Sequence, residues 1–113
     1  MKLVKFNFIL ILAGVMLASF NYEATYYADF FNGRPTKSGE IFTQEKLTCA
    51  SNKFAIGSRL KITNIENGKS VIVKVNDIGP SSTKVIDLSK KAFKKIADLE
   101  KGRIKIKVKH LKL

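Results

Sequence analysis

Arg59-Leu60-Lys61-Ile62-Thr63, then Asn67-Gly68, then Ser70-Val71-Ile72-Val73-Lys74-Val75-Asn76: this stretch decides the fold. The first run alternates polar and apolar residues, the period of a half-buried strand. Asn67-Gly68 is a strong hairpin signal, because both residues tolerate positive φ in a type I′ turn. The second run is β-branched and puts Val71, Val73 and Val75 on one face. Ile72 lies on the other face beside Lys74, so cover on both sides is expected here.

The same period returns near the C-terminus. Arg103-Ile104-Lys105-Ile106-Lys107-Val108-Lys109 alternates strictly and turns Ile104, Ile106 and Val108 inward and four cations outward. Those cations read either as a solvated strand face, where lysine also discourages edge pairing, or as a track for an anionic polymer. Between the β segments one helix is legible. Ser89 is its expected cap, Ala92, Phe93, Ile96 and Ala97 recur at helical spacing, and Gly102 is the expected stop. The chain is therefore mainly β, with short connections and no internal repeat or linker. A small closed barrel suits this pattern, because closure removes exposed edges. Binary pattern alone leaves its topology open.

The N-terminus reads differently. Lys2 and Lys5 precede an uncharged apolar run from Phe6 to Leu17, and Ala18 and Ser19 offer small residues for cleavage. Residues 1–20 are expected to be a secretory signal peptide, and 21–113 a single domain. The run is shorter than the ~20 apolar residues of a comfortable membrane span. No stable span is expected after cleavage; an uncleaved anchor is the alternative. No cysteine directly follows the run, which excludes lipid attachment at the usual lipoprotein position.

Setting Lys2 and Lys5 aside leaves nineteen basic against nine acidic residues, a net charge of about +10. Such a chain favours polyanions, although plain solubility explains the charge equally well. Nucleic acid is the disfavoured polyanion, given the export signal and the lack of an aromatic-basic RNA motif. Cys49 is the sole cysteine, so stability must come from packing; it reads as a buried thiol or as an intermolecular partner.

Asp77 stands at the end of the β-branched run, in Val75-Asn76-Asp77-Ile78-Gly79-Pro80. A strand end followed by a turn fixes a carboxylate where the chain meets solvent. The plainer reading is a turn cap accepting backbone N–H groups. Three other stretches join it: Ala24-Thr25-Tyr26-Tyr27-Ala28 with Asn32 to Glu40, Leu47-Thr48-Cys49-Ala50-Ser51 with Phe54 to Leu60, and Val85-Ile86-Asp87-Leu88-Ser89. Taken together and in order, these resemble the barrel domain of the rare lipoprotein A (RlpA) family of bacterial cell-wall proteins, from roughly Ala24 to Val108.

The resemblance implies a six-stranded double-psi β-barrel with one or two short helices. It also implies an exported lytic transglycosylase acting on the glycan strands of peptidoglycan, with no metal and no cofactor. In that reaction the muramic C6 hydroxyl closes on the anomeric carbon and leaves a 1,6-anhydro end, so one carboxyl can serve as acid and then as base. Asp77 matches the catalytic aspartate, and Glu40 in Ser-Gly-Glu matches a second acid. A proton-bearing Asp77 would call for apolar burial or a neighbouring carboxylate such as Glu40. Tyr26 and Tyr27 match a Trp-Tyr pair; strand alternation sends one inward, and Tyr27 is the one expected at the groove, where rings stack on sugars. Asn76 and Ser51 are the further substrate-binding positions. Ser51 departs from the family, which carries histidine there, and Asn32 replaces another histidine. Serine keeps a hydroxyl but does not titrate near neutrality. Two functions follow: a transglycosylase, or a non-catalytic, expansin-like peptidoglycan-binding module. Asp87 reads as a structural residue at the helix entry. Phe30, Phe31, Phe42 and Phe54 read as core or groove wall.

Overall fold

The computed structural model describes residues 22–111. The export signal expected over 1–20 lies outside them. Six strands form: β1 Tyr22–Tyr26, β2 Thr48–Ala50, β3 Arg59–Asn64, β4 Ser70–Asp77, β5 Val85–Leu88 and β6 Ile104–Leu111. They close into a barrel in the order β1-β5-β2-β4-β3-β6. The pairs β1/β5 and β2/β4 are parallel, and β1/β6, β2/β5, β3/β4 and β3/β6 are antiparallel. This is the double-psi barrel that the motif series implies.

The expected alternation holds where it was strictest. Leu60, Ile62, Val71, Val73, Val75, Ile104, Ile106 and Val108 fill the interior together with Ala24, Cys49, Ile86 and Leu88. Burying each larger side chain contributes about 1.5–3 kcal/mol. One helix, α1 (Lys90–Ile96), closes an end of the barrel with Ala92, Phe93 and Ile96. Ser89 caps it, its hydroxyl accepting from the Ala92 N–H at 3.2 Å. Two 3₁₀ turns, Asp29–Phe31 and Leu99–Lys101, complete the helical content.

Three local expectations change. The β3–β4 connection is not a type I′ turn: it spans residues 65–69, and no non-glycine residue among those described has positive φ, so Asn67 does not adopt it. Its asparagines do other work. Asn64 and Asn67 both donate through Nδ2 to the Ile96 carbonyl, at 2.8 and 2.9 Å, and so satisfy the end of α1. Gly102 does not stop that helix either. It follows the second 3₁₀ turn at φ 68°, whereas α1 ends at Ile96. Finally, Ile72 is 43% exposed, so β4 is open to solvent on its outer face there.

Candidate active site

The end of β4 is irregular in a way that aims Asp77. Cys49 pairs with Val75, but the next residue, Ala50, pairs with Asp77, so Asn76 is an extra residue in the β4 register. Such a bulge re-aims the side chain beyond it. Asp77 thereby sits opposite Ala50, which belongs to a small buried cluster with Tyr27 and Phe42, separate from the barrel core.

Three donors hold the half-buried carboxylate. Tyr27 Oη donates to Oδ2 at 2.7 Å, and the backbone N–H groups of Lys37 and Ile78 donate to Oδ1 at 2.9 and 3.0 Å. Tyr27 leaves β1 on the face opposite Tyr26, as alternation requires. Tyr26 points the other way, against Phe93, with its hydroxyl on the Leu99 carbonyl. Burial, and then the bond to Asp77, push the Tyr27 phenol far up, so it remains a donor. Its ring stacks on Phe42 at a centroid distance of 4.0 Å and meets the edge of Phe31.

A second chain segment covers this group. Residues 33–42 fold back as a small hairpin, with Phe42 N–H on the Arg34 carbonyl and Gly33 N–H on the Phe42 carbonyl. Gly39, at φ 93°, makes the reversal possible without strain. The tip docks on β4: Lys37 N–H reaches the Asp77 carboxylate, and Ser38 N–H reaches the Asn76 carbonyl. Glu40 leaves this hairpin for solvent and pairs with Lys74 Nζ at 2.7 Å. The hydrogen bond from Lys74 holds the Glu40 carboxyl below its ordinary range, against a smaller opposing effect of burial. Glu40 thus contributes a fixed negative charge compensated by Lys74.

The expected site residues fall in different places. Tyr27 meets Asp77 directly and Asn76 precedes it in the chain, whereas Glu40 pairs with Lys74 and not with Asp77. Ser51 lies behind. Its backbone N–H donates to the Asp77 carbonyl at 3.0 Å, while its hydroxyl accepts from the Lys53 and Phe54 N–H groups. Tyr27, Ser51 and Asn76 are only 6, 2 and 3% exposed, so they shape the site from beneath. Asn76 Oδ1 is buried without a hydrogen-bond partner among the described residues, an arrangement that costs about 1–3 kcal/mol. Around this base the exposed surface is apolar and cationic: Phe30, Phe31, Ile41 and Ile78 project outward, and the Arg34 guanidinium stacks over Phe30 at 3.9 Å.

Two residues have roles that the sequence reading did not give them. Asn52 clamps the rim beyond Asp77: its Oδ1 accepts from Gly79 N–H at 2.7 Å, and its Nδ2 donates to the Pro80 carbonyl. A polar residue beside Ser51 was the only signal for it. Asp87 is the larger change. It does not cap α1; it lies on β5, opposite Ala50 on one side and Thr25 on the other. The Thr25 hydroxyl donates to it at 2.9 Å. Burial raises its carboxyl above the ordinary range, Thr25 opposes that, and the charge of Asp77 adds to it. Burial likewise pushes the Cys49 thiol up, so this free cysteine is an inert core residue.

A separate cleft of about 660 Å³ lies between the residues flanking the hairpin and α1, lined by Asp29, Asn32, Gln44, Glu45 and the lysines of the helix. Gln44 ties its floor together, donating to the Tyr27 carbonyl at 2.7 Å and accepting from Lys90 N–H at 2.8 Å. Among the described residues no three His, Cys, Asp or Glu side chains are grouped to hold a metal ion.

Comparison with known proteins places this architecture. Residues 19–108 match the family described as lytic transglycolase. The chain belongs to that family. It is 43% identical over 86 residues to a probable endolytic peptidoglycan transglycosylase RlpA of Treponema pallidum, covering 75% of this chain and 27% of that protein. It is 38% identical over 90 residues to the RlpA transglycosylase of Neisseria meningitidis, covering 79% of this chain and 38% of the relative. The chain thus spans about a quarter to two-fifths of these relatives. Among solved structures, a Streptomyces papain inhibitor superposes with a TM-score of 0.67 at 26% identity, over 80% of this chain and 91% of that one. A Clavibacter michiganensis expansin superposes with a TM-score of 0.66 at 22% identity, over 80% and 49%, and shows the shared fold.

Proposed function

We propose that this chain is an exported, endolytic peptidoglycan transglycosylase that cuts between N-acetylmuramic acid and N-acetylglucosamine. The observation that carries the reading is the Asp77 carboxylate, fixed by Tyr27, Lys37 and Ile78 at the end of a bulged strand in a chain of the lytic transglycolase family. Three donors remove the rotational freedom of the carboxyl group, so its oxygens are pre-aimed.

The chemistry asks for little more. Asp77 in its acid form gives its proton to the glycosidic oxygen as the C1–O bond breaks. The muramic C6 hydroxyl then bonds to C1, and its proton returns to the Asp77 carboxylate. Protons balance, no water is consumed, and the carboxyl ends as it began. Glu40 assists as the charge that holds Lys74 in place at the mouth. The unpartnered Asn76 oxygen supports a role in binding, since a small shift of the hairpin tip would let a sugar hydroxyl or acetamido N–H satisfy it. Incubating the purified chain with glycan strands stripped of peptide should release 1,6-anhydro-muramyl products visible by mass spectrometry. Strands left intact would end the enzymatic reading.

The second reading is a binding module that engages the wall without cutting it. Ser51 favours it, because its hydroxyl is already engaged by the Lys53 and Phe54 N–H groups and supplies no titrating group beside Asp77. A variant of the Clavibacter michiganensis expansin, matched over 50% of its chain, is known in complex with cellohexaose. Retention on insoluble sacculi without product would support this reading.

A further inference from the structure

We infer that the outer face of β3, β4 and β6 docks on an anionic lipid surface, with Arg59, Lys61 and Lys109 against the head groups and Ile72 at the boundary beneath them. This inference stands whether or not the chain cuts glycan. Cations along β6 would have a structural use if they kept a free strand edge from pairing. No such edge exists here. β3 is paired with β4 and β6, and β6 with β3 and β1, so the closed barrel leaves these lysines nothing to protect.

The register defines the face. Lys61 is opposite Ile72 on β4 and Lys109 on β6, and Arg59 is opposite Lys74 on β4 and Leu111 on β6. Residues directly opposite across a sheet share a face. This face points outward, since Arg59, Lys61, Ile72, Lys74 and Lys109 are all exposed. Neighbouring strands lie about 4.8 Å apart and alternate residues about 6.8 Å apart, so four cations share a patch on the order of 10 Å across. Lys61 faces Lys109 and Arg59 faces Lys74, two like-charge pairs that oppose folding. Only Lys74 meets an acid, Glu40 from the hairpin. Arg59, Lys61 and Lys109 form no ion pair among the described residues. Residues 59–63, 70–74 and 105–109 include no acid at all.

Facing cations held without counter-charge are a local conflict of the kind that marks functional surfaces, because an anionic partner relieves it. Ile72 decides which partner fits. A dissolved polyanion would neutralise the cations and leave this isoleucine 43% exposed in their midst. A lipid surface takes both, since phosphate head groups meet the cations while an apolar side chain enters the boundary below. A barrel docked this way keeps Asp77, beyond Lys74 at the end of β4, at the margin of the contact. The lysines of α1 are a different cluster. They line a concave cleft together with Asp29 and Glu45, and so serve as a charge-matched control.

The chain has no tryptophan, so Ile72→Trp puts a sole indole on the face. Its emission should shift to the blue with vesicles of phosphatidylcholine and phosphatidylglycerol, and stay in place with phosphatidylcholine alone. Co-sedimentation of the full chain with the mixed vesicles then weighs the charges. Arg59/Lys61/Lys109→Gln should bind about 100-fold more weakly, near five-fold for each charge removed. Lys91/Lys94/Lys95→Gln removes the same net charge and should stay within about five-fold of the wild type, because charges not laid on the lipid act only through screened attraction. Any apolar contribution of residues 6–17 is common to all these chains. Ile72→Thr keeps the β-branch and should weaken vesicle binding several-fold while leaving binding to soluble polyphosphate unchanged. Arg59/Lys61/Lys109→Gln relieves the facing charges and should melt no lower than the wild type, so its loss of binding is not a loss of fold. Equal losses in the two triple variants would overturn the inference. So would an Ile72→Trp emission that does not move on mixed vesicles; polyphosphate bound in that case would give the face to a dissolved polyanion.

Discussion

A charge on Asp87 is half-buried, with the Thr25 hydroxyl as its hydrogen-bond donor, and burial raises its carboxyl. Because this carboxyl titrates higher in the folded chain than in the unfolded one, its contribution to stability is fully present below the unfolded value and is lost as pH rises through the folded one. Asp87→Asn keeps the acceptor for Thr25 and removes the charge. It should melt above the wild type at pH 7, with the difference closing toward about pH 4; circular-dichroism melts across that range would show it. The opposite change is expected at Tyr27. Tyr27→Phe keeps the stacking on Phe42 but leaves Asp77 Oδ2 without its donor, a loss of about 1–2 kcal/mol by denaturant titration. Asp77 and Tyr27 were legible as residues because strand alternation and a turn after a strand are local signals. Asp87 was not. Asp-Leu-Ser before a helix is a local cap signature, and what overrides it is pairing with β1 and β2, partners dozens of residues away.

Among elements, the hairpin over residues 33–42 matters most to the site and was least visible beforehand. It has almost no regular pairing beyond the Pro35–Ile41 bridge, and its anchors are Phe42, backbone N–H groups and the exposed Glu40–Lys74 ion pair. Its stability is therefore bought by Phe42 against Tyr27. Phe42→Ala should lower stability by about 3–5 kcal/mol. It should also free the Lys37 N–H from Asp77, so that protection of that amide in hydrogen exchange falls more than protection of the β6 amides. Three strands, β3, β4 and β6, were readable to within a residue or two from the period-two runs at Arg59–Thr63, Ser70–Asn76 and Arg103–Lys109, whereas β1, β2 and β5 carry no such run. The bulge at Asn76 was hidden for a simple reason: an extra residue in one strand shows only against its partner.

The whole molecule sets two acids, Asp77 and Asp87, on either side of Ala50 within a strongly basic chain. Lys91, Lys94 and Lys95 line the cleft beside α1, away from Asp77, and Lys105 and Lys109 lie along β6. If charge holds the protein to an anionic wall, retention on sacculi should fall steadily between about 50 and 500 mM salt, where the screening length shortens from roughly 14 to 4 Å. A Lys91/Lys94/Lys95→Gln chain should need less salt for release; retention indifferent to salt would assign attachment to the apolar surface around Phe30 and Ile41. Closure of the barrel was legible from alternation, whereas its strand order, with two parallel pairs, followed only from the motif series.

The central claim is that the Asp77 carboxyl performs the cleavage. Turnover of peptide-free glycan strands by the wild type and by Asp77→Asn, quantified as 1,6-anhydro ends per protein by mass spectrometry, tests it directly. The account predicts a fall of at least about 100-fold, in line with loss of a general acid–base group, with retention on sacculi unchanged. An Asp77→Asn chain that cuts as fast as the wild type would contradict it.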